Sequence, residues 1–154
     1  MTGITGWHIV NAGIPGDTAQ NARRRIGPLL AEHRPALVII ELGGNDFLRR
    51  RAVDQVKEDL RDIVRQAKAS GAQVLLVAVP APSLLAAVAS RLSDAPLYQA
   101  LAEEEGVGLV PDVLSEVLSD EALRADQIHP NAAGYRQLAE GLLGQMRTLG
   151  LISQ

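Results

Sequence analysis

Short apolar, β-branched runs alternate along this chain with longer segments of helical period, and that alternation constrains the fold more than any other feature. The runs are residues 7–11 (WHIVN), 36–42 (ALVIIEL), 73–79 (QVLLVAV) and 107–110 (VGLV). A strand with one wet face alternates apolar and polar residues, whereas continuous apolar runs of this length fit strands buried on both faces of a parallel sheet. Between the runs, Val53, Val56, Leu60, Ile63, Val64 and Ala67 recur on one helical face. Gly71 then stands where a helix C-terminus favours glycine. Further helices fit residues 18–33, ended ahead of Pro35, and residues 95–105 and 131–149. The order β-α-β-α-β-α-β-α predicts one α/β domain over residues 1–154, with helices on both faces of the sheet. Neither an internal repeat nor a low-complexity linker interrupts it. The longest stretches without a periodic pattern, residues 80–94 and 112–130, follow strand C-terminal ends, the edge of an open α/β sheet where ligands bind.

The core must be aliphatic, because aromatic residues make up only 3% of a chain that is 47% hydrophobic. A net charge of −3 gives no basic footprint for nucleic acid. The runs Arg23, Arg24, Arg25 and Arg49, Arg50, Arg51 therefore read as solvated surface. The absence of cysteine excludes a disulfide framework, thiolate metal sites and a cysteine nucleophile. No apolar stretch is long enough to span a bilayer. Residues 1–8 lack a basic segment followed by an apolar one, so no signal peptide is expected and the sequence as it stands reads as cytoplasmic.

Four clusters after strands carry polar residues that could do chemistry. In residues 11–18 (NAGIPGDT), Gly13 and Gly16 allow a sharp turn, and Asp17 or Thr18 can cap the next helix. Residues 41–46 (ELGGND) make an ordinary turn, and equally well offer the Asn45 amide as a donor to a developing oxyanion. In residues 126–131 (DQIHPN), Asp126 can reach back to Nδ1 of His129, fixing the tautomer and leaving Nε2 as a base. Pro130 is expected in the first turn of the last helix. Asp126 and His129 alone are too few ligands for a metal, so no metal site is expected. His8 and His33 read as structural, within a strand and at a helix end. The loop Pro80-Ala81-Pro82-Ser83-Leu84 can shape a pocket or serve as a rigid turn.

Taken together and in this order, the clusters resemble the SGNH (GDSL-type) hydrolase superfamily, and most of all its bacterial arylesterase and thioesterase–lysophospholipase group. The resemblance runs from Val10 to about Gln145. It implies a flavodoxin-like three-layer α/β/α fold and ester or thioester hydrolysis of a small acyl substrate, with no cofactor. It further implies that Gly16 and Asn45 form the oxyanion hole and that Asp126 and His129 are two members of a Ser-His-Asp triad. Relatives are often periplasmic or secreted. The family's first block, Gly-Asp-Ser-Leu, has no counterpart here. It would lie roughly 30 residues upstream of Gly16, the reach of a helical crossover between parallel strands. Ser70, Ser83, Ser90, Ser93, Ser115, Ser119 and Ser153 all lack the Gly-Asp context, so no nucleophile is expected in this chain. Ser83 alone sits in a loop on the active edge.

The block's strand is expected inside the family's sheet, between WHIVN and ALVIIEL. Without it, two rows of backbone groups lose their partners. Three outcomes are open: WHIVN pairs directly with ALVIIEL, a second copy of the chain covers the edge, or the sequence is part of a longer protein. Two other readings compete with ester hydrolysis, a non-catalytic remnant that keeps the cleft and a flavodoxin-like ligand-binding domain.

Overall fold

Three of the four apolar runs become strands. The computed structural model describes residues 6–81 and 91–153. Leu37–Ile40 (β1), Gln73–Val77 (β2) and Gly108–Val110 (β3) form a parallel sheet in the order β1-β2-β3. Ile39 stands opposite Leu75, and Leu76 opposite Leu109. The central strand is the most deeply buried, with Leu75 and Leu76 at 0% exposure, as a continuous apolar run requires.

The fourth run does not form a strand. Residues 7–11 have no regular structure and are exposed, and Ile9 and Val10 stay open to solvent. A β-branched sequence makes a strand only where a neighbouring strand pairs with it, and among the described residues the sheet holds β1, β2 and β3 alone. Direct pairing of residues 7–11 with β1 is therefore not what the chain adopts. Among the described residues β1 pairs on its β2 side alone, and Ile39 is 38% exposed.

The helices follow their apolar period. Ala19–His33 (α1) begins at Thr18, whose hydroxyl accepts the Asn21 N–H at 3.3 Å. Gly44–Leu48 (α2) is a short helix directly after β1. Val53–Ala69 (α3) ends ahead of Gly71, whose φ of +89° suits glycine. Leu97–Glu105 (α4) is capped by Gly106. Ala132–Thr148 (α6) is capped by Asn131, which accepts the Gly134 N–H at 3.0 Å. Pro130 thus precedes the cap instead of entering the first turn, and it pairs with Arg124 in an isolated antiparallel bridge. Val113–Ser119 (α5) occupies part of a stretch whose sequence reads as irregular.

The α3 stripe of Val56, Leu60, Ile63, Val64 and Ala67 is almost wholly buried against α1, β2 and α4. On α6, Leu138, Leu142 and Met146 join the same core. Gln145 of that helix donates to the Leu109 carbonyl of β3 at 3.3 Å. No helix among the described residues is long and apolar enough to cross a membrane.

Candidate active site

The loops after β1 and before α1 meet at the C-terminal edge of the sheet. Residues 14–17 form a tight turn closed by Asp17 N–H to the Ile14 carbonyl at 3.1 Å. Pro15 and Gly16 occupy its central positions, and Gly16 has φ +76°, as a type II turn demands of its third residue. Asp17 is buried and receives Nε and Nη2 of Arg25 at 2.9 and 2.7 Å. Arg25 also donates to the Ala12 carbonyl at 2.7 Å. The turn is therefore anchored by a residue of one of the two arginine runs.

The second loop is built around Gly43. Its φ is +129°, and a Cβ there would lie 1.9 Å from the Tyr98 hydroxyl. That hydroxyl, on a side chain with no exposure, donates to the Leu42 carbonyl at 2.5 Å. The turn into α2 is thus set by a glycine and by a tyrosine far along the chain. α2 then directs Asn45 at the first loop, where its amide donates to the Asp17 carbonyl at 3.1 Å. The same contact places Asn45 beside the turn that carries Gly16. An amide has two N–H groups, so one bond to Asp17 leaves a second for a ligand.

Asp126 and His129 adopt the geometry that their spacing suggests. Both carboxylate oxygens lie within 2.9 Å of His129 Nδ1. Oδ1 also accepts the backbone N–H groups of Ile128 and His129, at 2.9 and 2.8 Å. The Ile128 bond above all, with the His129 ring, holds the Asp126 carboxyl below its usual pKa. The acid is an anion at neutral pH and fixes the imidazole from its Nδ1 side. The loop itself closes through Ala125 N–H to the His129 carbonyl at 2.8 Å and Asn131 N–H to the Leu123 carbonyl at 2.8 Å. It presses on α6 so closely that a Cβ at Gly134 would stand 2.1 Å from the Leu123 carbonyl oxygen. Ile128 packs beside Gly44, 3.6 Å from where its Cβ would be, which joins this loop to the Asn45 loop.

Two further groups lie near the Asp126–His129 pair. Glu41, at the end of β1, is open to solvent yet crowded by protein atoms, and the lost hydration raises its pKa; His129 charge partly offsets this. Tyr135, one turn into α6, has its phenol pKa raised by burial and by the nearby charges of Glu41 and Asp126. Neither stands out in the sequence, because each enters from a different element.

Other expectations divide. Arg25 and Arg51 are not solvated surface as the arginine runs suggest: Arg51 is 18% exposed and bridges Asp46 and Asp59, at 2.5 and 2.7 Å. Arg23 also reaches Asp59, at 2.9 Å, whereas Arg24, Arg49 and Arg50 are exposed. His8 lies in no strand and is exposed, and His33 ends α1. Pro82, Ser83 and Leu84 lie outside the described residues. The hydroxyls of Ser70, Ser115 and Ser119 bond to the Ala67 carbonyl, Asp94 and the Ser115 carbonyl, and none of these is at His129. No cluster of three His, Cys, Asp or Glu side chains able to hold a metal occurs among the described residues. A cavity of 290 Å³ lies at the opposite end of the sheet, lined by Lys68, Val74, Gly108 and Leu151 among others, and contains none of these groups.

Residues 2–137 match the model of the GDSL-like Lipase/Acylhydrolase family. The chain is 38% identical over 146 residues to Esterase TesA of Pseudomonas aeruginosa, an alignment spanning 93% of this chain and 71% of that protein. It is 37% identical over 144 residues to Thioesterase 1/protease 1/lysophospholipase L1 of Escherichia coli strain K12, spanning 92% of this chain and 68% of that protein. A crystal structure of TesA superposes with a TM-score of 0.78 at 39% identity, covering 92% of this chain and 79% of that one.

Proposed function

Because the chain belongs to the GDSL-like lipase/acylhydrolase family, whose members hydrolyse carboxylic esters, we propose that its cleft is an acyl-transfer site for small esters or thioesters. The observation that carries this is the Asp126–His129 pair, with Nδ1 held at 2.8 Å, on the same edge as the Gly16 and Asn45 donors. In this reading a serine hydroxyl presented to His129 Nε2 attacks the carbonyl carbon. The proton passes to Nε2, and the imidazolium is steadied by Asp126 across Nδ1–H. The carbonyl oxygen becomes an oxyanion held by the Gly16 N–H and the Asn45 amide. Each such donor contributes about 2.7–4 kcal/mol to the rate. His129 then protonates the departing alcohol or thiol, and water releases the acyl group by the same base in reverse.

No serine of the chain stands in the Gly-Asp context of the family's nucleophile. Acting on water alone, His129 supports only slow general-base hydrolysis, orders of magnitude below the acyl-enzyme route. That same observation favours a second reading, a domain that binds acyl ligands without turning them over. Assay with p-nitrophenyl acetate separates the two, using this chain beside a version with a Gly-Asp-Ser block ahead of Met1. Ester hydrolysis predicts turnover in the longer version that is lost on His129→Ala. Inertness of both forms would leave binding without chemistry as the surviving account.

A further inference from the structure

The residue that follows Asn45 is the most deeply buried charged group in the molecule's described part, and the mechanism above makes no use of it. Asp46 has 0% exposure. A carboxylate without water must be paired and hydrogen-bonded to be tolerated. Arg51 supplies the charge, with Nη1 2.5 Å from Oδ1. The other oxygen accepts the backbone N–H of Ala19 at 3.0 Å. Ala19 opens α1, so its N–H is one of the donors that a helix start leaves without an internal partner.

The geometry around this bond forms a ladder. From α2 and the residue after it, Arg49 donates to the Gly16 carbonyl at 3.3 Å, Asn45 donates to the Asp17 carbonyl at 3.1 Å, and Asp46 accepts from Ala19. The middle rung is the proposed oxyanion amide, and the facing residues include the proposed oxyanion glycine. The Arg49 rung is long and solvent-exposed. The Asp46 rung is buried and charge-assisted, so it is the one that fixes the spacing. Arg51 steadies it from behind, because its second nitrogen is held 2.7 Å from Asp59, which Arg23 of α1 also grips at 2.9 Å.

We infer that Asp46, backed by Arg51, is a positioning residue that sets the Gly16 N–H and the Asn45 amide at a fixed distance from each other. The inference rests on the proposed oxyanion role of those two groups. A misplacement of about 1 Å at a reacting centre costs on the order of 100-fold in rate. Asp59 belongs to the same ion network and is nearly as buried, yet touches neither loop, so it isolates the scaffold contribution.

The test compares Asp46→Asn with Asp59→Asn. In the chain as it is, amide NMR spectra of Asp46→Asn should show the Gly16 N–H signal displaced, although it is 30 positions away in sequence. Asp59→Asn, which acts on the rung only through Arg51, should move that signal far less. In the version with a Gly-Asp-Ser block, Asp46→Asn should lower kcat by about 10- to 100-fold with KM within about twofold, since oxyanion donors act in the transition state. A role in stability alone would lower the melting temperature and leave Gly16 and kcat of the folded enzyme unmoved, and that result overturns the inference. So does an equal kcat loss in Asp59→Asn. If Asp46→Asn fails to fold, Arg51→Lys keeps the charge but replaces the two nitrogens that hold Asp46 and Asp59 separately by one, and should move the Gly16 signal less; an unmoved signal there also overturns the inference. Displacement of Gly16 together with an inert longer version would retain the positioning geometry and sink the ester-hydrolase reading instead.

Discussion

Replacing Gly134 by alanine tests how tightly the acid–base loop is seated on α6. By helix propensity the change should help, because alanine in a helix is favoured over glycine by about 1 kcal/mol. The structure predicts the opposite. The added methyl would stand 2.1 Å from the Leu123 carbonyl oxygen, 2.8 Å from Pro130 Cβ and 3.0 Å from Val117 Cγ1. The nearest obstacle is backbone, and it is already engaged, since the Leu123 carbonyl accepts the Asn131 N–H at 2.8 Å. Ordinary carbon–oxygen contact needs more than an extra ångström, and a carbonyl cannot rotate away as a long side chain can. Overpacking of this kind costs about 1–3 kcal/mol, here at the upper end. Set against the propensity gain, the net loss is about 2 kcal/mol, a fall in melting temperature of about 4–8 °C for a domain of this size. Thermal unfolding followed by circular dichroism measures it. NMR of the His129 ring, in the loop that must move, should change in the same variant. A melting temperature equal to or above the parent's would refute the reasoning, because it would mean that the loop yields freely.

Three other outcomes follow from the same contacts. Glu41→Gln should stabilise the fold at neutral pH, with the gain vanishing in acid. The carboxyl's folded pKa is raised, so its contribution is most favourable below the unfolded pKa and is lost as pH rises through the folded one; unfolding curves at several pH values check this. Tyr98→Phe leaves the Leu42 carbonyl without its 2.5 Å donor and should cost about 1–2 kcal/mol, read as a lower denaturant midpoint at unchanged slope. If a second copy covers the open side of β1, the chain should sediment as a dimer and Ile39→Lys should return it to monomer; a monomeric parent contradicts that partner.

The elements that sequence reading captures are those whose cause is local. The α3 stripe, the Thr18 cap and Gly71 are all visible within a few residues of chain. The Asp126–His129 pair is legible for the same reason, since both members share one loop. Residues 7–11 mislead because a strand depends on a neighbour, which no property of the run reveals. The α5 helix was foreshadowed by Val113, Leu114, Val117 and Leu118 at helical spacing, but a single pair of turns gives too short a period to separate from loop. The supports of the site were not legible. Tyr98 meets Leu42, Arg23 meets Asp59 and Ala19 meets Asp46 across gaps that only the fold closes. Arginine runs look alike in sequence, yet Arg51 is a partly buried counter-ion and Arg50 is surface.

The most direct test of the central claim, that these residues form an acyl-transfer site needing only a serine, is covalent labelling by a fluorophosphonate read by mass spectrometry. The account predicts that this chain stays unlabelled. It predicts one phosphonyl group on the serine of the version with a Gly-Asp-Ser block, and strongly slowed labelling on His129→Ala. Labelling of the shorter chain at one of its own serines, or labelling of the longer version that is indifferent to His129, would contradict it.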